Sequence, residues 1–185
     1  GFCLNFNSAK PVLIRATIMS TLGVILTCGF VGLFCYWVLH TSLIEGMLIG
    51  AVMASTDAAS VFSILRMKRL NLKAGIAPLL EMESGSNDPF AYMMTILAIE
   101  LIKYDQNTSI FLFMTQQIIV GVGVSLIISL ILSKLFERIN LEYDGLYSIF
   151  IMAVILLVFG VSSHFGGNGY LTIYLTGIIF NNSRK

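Results

Sequence analysis

Six apolar runs, at about 12–38, 43–65, 76–102, 109–133, 146–162 and 169–182, fill most of this chain and leave only short polar connections. A helix crossing the hydrocarbon of a bilayer needs about 20 residues. The first four runs reach that length with some tilt. The fifth is marginal, and the sixth is short and follows Gly166-Gly167-Asn168. Backbone groups in lipid must pair within their own segment, so such runs fold as helices. Composition agrees, with 57% hydrophobic and 11% charged residues and a mean hydropathy of +0.88, where a soluble domain carries about a quarter charged. The expected fold is an all-α polytopic membrane protein of about six transmembrane helices, without a second soluble domain. The chain opens Gly1-Phe2-Cys3 with no signal peptide, and reads as an excerpt of a longer polypeptide.

Charge placement orients these spans. Lys10 and Arg15 sit at the start of the first run. Arg66, Lys68, Arg69 and Lys73 lie between the second and third, Lys134 and Arg138 between the fourth and fifth, and Arg184 and Lys185 close the chain. Ten of the eleven basic residues thus share one side of an alternating six-span arrangement, and only Lys103 takes the other. Basic loops stay cytoplasmic, so both ends of the chain are expected in the cytoplasm of a cell (inner) membrane protein. The basic residues are scattered and not interleaved with aromatics, which excludes a nucleic-acid surface. Cys3, Cys28 and Cys35 match no metal spacing and read as small apolar residues. His40 and His164 read as solvated loop residues.

The first run, with Gly23, Gly29, Gly32 and an interfacial Trp37, reads as a packing helix. In the second, Gly46, Gly50, Ala54 and Ala58 recur every four residues, a stripe that admits another backbone closely. Ala54-Ser55-Thr56-Asp57-Ala58-Ala59-Ser60 falls inside that stripe. Asp57 is about fifteen residues into the run, too deep for its short side chain to reach water. Ser, Thr and Asp compete for backbone hydrogen bonds, which favours local unwinding; the alternative is an intact helix whose Asp57 caps or pairs with a neighbour. An interrupted helix presents free amides and carbonyls at membrane depth. The fourth run, with Gly121, Gly123, Ser125 and Ser129, reads as a packing or connecting helix.

The third run carries Glu81-Met82-Glu83-Ser84-Gly85-Ser86-Asn87-Asp88-Pro89. On a helix Glu81, Ser84 and Asp88 fall within about 60° of one another, with Asn87 on the flank. Glu83 lies one turn before Asn87, so the two side chains can meet. Pro89 lacks an amide hydrogen and releases the carbonyl of Gly85. Carboxylate and carbonyl oxygens are hard ligands suited to a small cation. Asp57, Glu81, Glu83 and Asp88 have no Lys or Arg on the same runs between Glu45 and Leu65 or between Ala74 and Ile102. An unpartnered acid in low dielectric must take up a proton, bind a cation or meet a base from elsewhere. A carboxylate that does either of the first two is a proton–cation exchange site.

Together Ser55-Thr56-Asp57-Ala58-Ala59-Ser60-Val61-Phe62 and Glu81 to Pro89 resemble the monovalent cation:proton antiporters of the NhaP and cell-volume-regulation type. Leu70-Asn71-Leu72, Gly166-Gly167-Asn168-Gly169-Tyr170-Leu171 and Tyr174-Leu175-Thr176-Gly177 extend the likeness over about 1–182. The resemblance implies an antiporter fold with inverted repeats and a discontinuous helix near Thr56-Asp57. Residues 12–102 would form the ion-binding core and 109–182 connecting and further transmembrane helices. Asp88 would carry either the cation or the proton, and Asn87 beside it marks the electroneutral branch. Glu83 and Ser84 would line or support the ion site, Thr56 would add oxygen at the crossing, and Asp57 would compensate the half-helix amino ends. Asp88, Ser84, Glu83 and Thr56 would thus hold the Na+ or K+, with Glu81 and Gly85 behind them. The implied activity is exchange of Na+ or K+ for H+ by alternating access. The protein would be a transporter and not an enzyme, with no cofactor beyond the transported ions, lipid around it, and a homodimer at full length. The other repeat and a basic residue on a later helix are absent from 1–185, so this stretch alone is expected not to transport. A cation channel and a structural bundle are the alternatives. An intramembrane aspartyl protease is more remote, since Gly85-Ser86-Asn87-Asp88 lacks the Gly-x-Gly-Asp of those enzymes.

Overall fold

The computed structural model describes residues 11–68, 76–103, 109–136 and 144–182. Cys3, Leu70-Asn71-Leu72 and the basic residues Lys10, Arg69, Lys73, Arg138, Arg184 and Lys185 lie outside the described residues. Within them every regular element is an α-helix: α1 Leu13–Val38, α2 Leu43–Met53, α3 Ala58–Met67, α4 Ile76–Lys103, α5 Ile110–Phe136, α6 Asp144–His164 and α7 Gly169–Asn182. The six apolar runs correspond to α1, the pair α2 and α3, and then α4 to α7. Leu13–Val38, Leu43–Leu65, Ile110–Phe136 and Gly145–His164 are long and apolar enough to cross a membrane. Helix α4 has the length, at 28 residues, but its acids and amide lower its hydropathy and keep it out of that group. Helices α5 and α6 outrun their apolar stretches by up to a turn, because residues such as Lys134 continue a helix into the polar interface. His164 is accordingly the last residue of α6 and not a loop residue; it is exposed, with its ring edge-on to Phe165 at 5.4 Å.

The described helices fall into two compact units divided between Phe113 and Met114. In the first, α1 turns into α2 through a short connection in which His40 takes a left-handed φ of 53°. Ser42 and Glu45 then form a reciprocal cap: the Glu45 amide donates to Ser42 Oγ at 3.3 Å and the Ser42 amide to Glu45 Oε2 at 2.9 Å. From that turn α2 runs back along α1 at backbone contact distance. A Cβ on Gly46 would stand 2.6 Å from the Gly32 carbonyl oxygen, and one on Gly50 2.6 Å from that of Cys28. The Cys28 thiol donates to the Met47 carbonyl at 3.1 Å. One step further along, Ala54 joins Val24 of α1 and Ala91 of α4 in a buried cluster flanked by Phe90 and Met94. The small-residue stripe therefore seats α2 on α1 and brings its C-terminal end to α4. The outer face of α1 is apolar and open, with Phe30 71% and Trp37 75% exposed. That pattern costs nothing in lipid, where helices associate by close packing and not by hiding apolar surface.

In the second unit α5, from Met114 on, meets α6 and α7 around a turn built for close approach. Gly166 has φ +75°, and a Cβ on Gly167 would meet Ser162 Oγ at 2.6 Å and Val120 Cγ1 at 2.8 Å. The Asn168 amide donates to the Gln117 carbonyl at 3.1 Å. Its side-chain oxygen caps α7 by accepting from the Leu171 amide at 3.1 Å.

The glycine contacts give a direct test. Gly50→Val should lower the unfolding temperature of the purified full polypeptide through an overpacking cost of roughly 1–3 kcal/mol. Gly23→Ala, where a Cβ meets nothing within 4 Å, should not lower the unfolding temperature.

Candidate functional site

Helix α2 ends at Met53, Ala54 forms a turn, and Ser55-Thr56-Asp57 are non-helical before α3 begins at Ala58. The Ala54 amide reaches only the Ala51 carbonyl, at 3.2 Å, a tightened last turn. The interruption and the cap by Asp57 occur together. Asp57 Oδ1 accepts from the Ala59 amide at 2.8 Å and Oδ2 from the Ser60 hydroxyl at 2.8 Å. A carboxylate at a helix N-terminus satisfies orphan amides and complements the positive end of the dipole. The acid is therefore the start signal of α3.

The interruption lies against the middle of α4. Ser84 Oγ donates to the Thr56 carbonyl at 3.0 Å and accepts from the Ala58 amide at 3.2 Å. One hydroxyl thus serves a carbonyl and an amide that the break has stripped of helical partners. Thr56 Oγ1 donates towards Glu83 Oε1 at 3.4 Å and accepts from Asn87 Nδ2 at 3.0 Å. Asn87 Nδ2 also donates to Glu83 Oε1 at 3.3 Å. Asn87 is 2% exposed, and its Oδ1 is buried without a hydrogen-bond partner. Asp88, one position on, accepts from the Ser55 hydroxyl through Oδ1 at 2.6 Å.

Thr56, Glu83, Ser84 and Asn87 are thus joined in one hydrogen-bonded set, and Asp88 is tied to the same linker through Ser55. Asp57 is turned to α3 and caps it. Glu81 is exposed and Gly85 half-buried on α4, and neither enters these hydrogen bonds. Pro89 is buried inside α4, which continues through it. Among the described residues no three His, Cys, Asp or Glu side chains gather as a metal cluster. The oxygens that do gather are mixed: carboxylate, hydroxyl and backbone carbonyl. That set suits a weakly held, hard monovalent cation better than a resident transition metal. Sequence reasoning passed over Ser55, although it stands within the quoted motif; a linker serine has no periodicity to mark it. The Ser42–Glu45 cap was legible in principle as Ser-x-x-Glu before an apolar run.

The family model for the sodium/hydrogen exchanger, transmembrane, matches residues 1–185. The chain belongs to the sodium/hydrogen exchanger family. Among curated relatives, it is 34% identical over 177 residues to the K(+)/H(+) antiporter NhaP of Alkalimonas amylolytica, covering 95% of this chain and 31% of that protein. It is 36% identical over 179 residues to the K(+)/H(+) antiporter NhaP2 of Shewanella baltica, covering 95% of this chain and 31% of the relative. A more distant relative is the low-affinity Na(+)/H(+) antiporter NhaS1 of Synechocystis, 25% identical over 184 residues, with 97% and 34% covered. The chain thus spans about a third of the length of the relatives it matches.

Within this exchanger segment the clamp made by Ser84 is open to test. Ser84→Ala removes the partner of the Thr56 carbonyl and the Ala58 amide together. The bond lost at the Ala58 amide by itself speeds opening there by roughly three- to tenfold. Hydrogen exchange at the Ala58 amide should accelerate by that factor while the amides of α1 keep their rates.

Proposed function

We propose that the polypeptide carrying this segment is a secondary transporter that exchanges Na+ or K+ for H+ by alternating access, with cation and proton competing for Asp88. The observation that carries this reading is the meeting of an interrupted helix with the Glu83–Asp88 face of α4. There a carboxylate, hydroxyls and a backbone carbonyl released from helical pairing converge, in a chain where Leu13–Val38, Ile110–Phe136 and Gly145–His164 are long and apolar enough to cross a membrane. Membership of the exchanger family supports it, as do the K(+)/H(+) and Na(+)/H(+) activities in the names of the three relatives.

In this reading Asp88 binds a proton or a cation but not both, which couples the two fluxes. Ser84, Glu83 and the linker at Thr56 line the cation site, and Asn87 holds Thr56 and Glu83 in register. Asp57 stabilises the amino end of the second half-helix, while Glu81 and Gly85 lie behind the site. Because Asn87 is neutral, one carboxylate does the exchanging and one cation trades for one proton, an electroneutral cycle. Residues 12–102 form the ion-binding core and 109–182 the connecting and further helices. The protein lies in the inner (cell) membrane, with both ends of this stretch cytoplasmic, and works as a homodimer; no cofactor takes part. A channel reading lacks a filter loop among the described residues, and a purely structural bundle leaves the acids of α4 without a task.

The test uses everted vesicles containing the full polypeptide and an acid-sensitive dye, with Na+, K+ and Li+ added in turn. The wild-type protein should relieve the acid gradient on addition of its cation. Asp88→Asn should respond no more than vesicles lacking the protein. An Asp88→Asn protein as active as wild type would sink the assignment.

A further inference from the structure

We propose that Ser55 is a further ligand of the exchanged cation, its hydroxyl oxygen completing the coordination that Asp88 begins. The inference rests on the reading of Asp88 as the exchange carboxylate. Ser55 opens the non-helical linker, and its Oγ lies 2.6 Å from Asp88 Oδ1. The residues after it are fixed to α4 by Ser84, through the Thr56 carbonyl and the Ala58 amide. Ser55 therefore stands beside Asp88 because the clamp on its neighbours places it there. A serine hydroxyl has one proton and two acceptor lone pairs. With the proton directed to Oδ1, the lone pairs remain for a cation resting against the same carboxylate. Donor and ligand roles are thus compatible at one atom, and a neutral hydroxyl is a hard oxygen of the kind such cations accept. Ser55 is also exposed within this segment, so its truncation leaves the packing of these helices on one another in place.

A merely structural serine and a ligand serine differ in which kinetic constant they move. In proteoliposomes of the full polypeptide, with rates measured against Na+ and K+ concentration at fixed pH, Ser55→Ala should raise the half-saturating cation concentration. The expected rise is roughly threefold to tenfold, the factor that one net polar contact represents. The rate at saturation should stay within about twofold, since the carboxylate is untouched. Ser55→Thr keeps the hydroxyl and should return the half-saturating concentration close to wild type. An unchanged constant in Ser55→Ala, or a Ser55→Thr protein shifted as far as Ser55→Ala, overturns the proposal. Should Ser55→Ala be too slow to assay, cation-induced thermal stabilisation of the purified protein replaces the rate. A reduced stabilisation supports the ligand role, and a wild-type one overturns it. Asp88→Asn is run alongside. If it still exchanges ions, the reading of Asp88 has failed and takes the Ser55 assignment with it. If it is inactive while Ser55→Ala saturates as wild type, the Ser55 assignment alone has failed.

Discussion

The structure turns on one hydroxyl. Interrupting a helix at membrane depth strips a carbonyl and an amide of their partners, and lipid supplies no water to replace them. Ser84 answers both at once, donating to the Thr56 carbonyl and accepting from the Ala58 amide. Without that clamp the Ser55–Asp57 linker would regain its hydrogen bonds most readily by closing into a helix. Such a helix would carry Ser55 and Thr56 away from α4. The site is thus a by-product of backbone satisfaction, because the groups that repair the break are those that gather around it.

The clamp works only if the break arrives at the right height on α4, and α1 sets that height. Backbone contact at Gly46 against Gly32 and at Gly50 against Cys28 fixes the slide of α2 along α1. Val24, Ala54 and Ala91 then meet as a three-helix contact just before the linker. Membrane helices have little hydrophobic reason to associate, so small residues act through shape. A side chain at Gly50 would push α2 outward along its length, and the displacement would carry to Thr56, six residues on, whose carbonyl Ser84 holds.

Much of this was legible in the sequence because lipid leaves few choices. The helices follow from apolar length, and the break follows from Ser, Thr and Asp placed where a helix has the least use for them. Glu83 and Asn87, one turn apart, do share a contact, made through a common partner in Thr56 as well as directly. Periodicity does not extend to the linker, where no repeat says which way a side chain turns. Ser55 and Asp57 are two residues apart and of similar length, yet one faces Asp88 and the other caps α3. Only the docking of the linker on α4 separates them. The ends of α5 and α6 were misjudged for the opposite reason, since helix geometry continues past the apolar boundary that marks it in sequence.

The two units handle buried polarity in different ways, and the contrast bears on where the chemistry sits. In the second unit the buried polar side chains among the described residues are neutral; several bond to nearby groups, while Gln117 Nε2, Ser163 Oγ and Thr176 Oγ1 have no hydrogen-bond partner. Ser125 and Ser133 donate to carbonyls three and four residues back. Thr172 meets Ser162 at 2.6 Å, and Asn168 caps its own helix. Hydroxyls used in this way cost little in lipid and leave no charge to manage. In the first unit the polar groups reach across from linker to helix, over 26 to 33 residues of sequence, and include Glu83 and Asp88. An acid at such a crossing keeps a strong demand for a proton or a cation, because neutral hydroxyls and amides solvate it without neutralising it. Under the proposed exchange, the crossing of linker and α4, and no single side chain, is therefore the element that answers this demand.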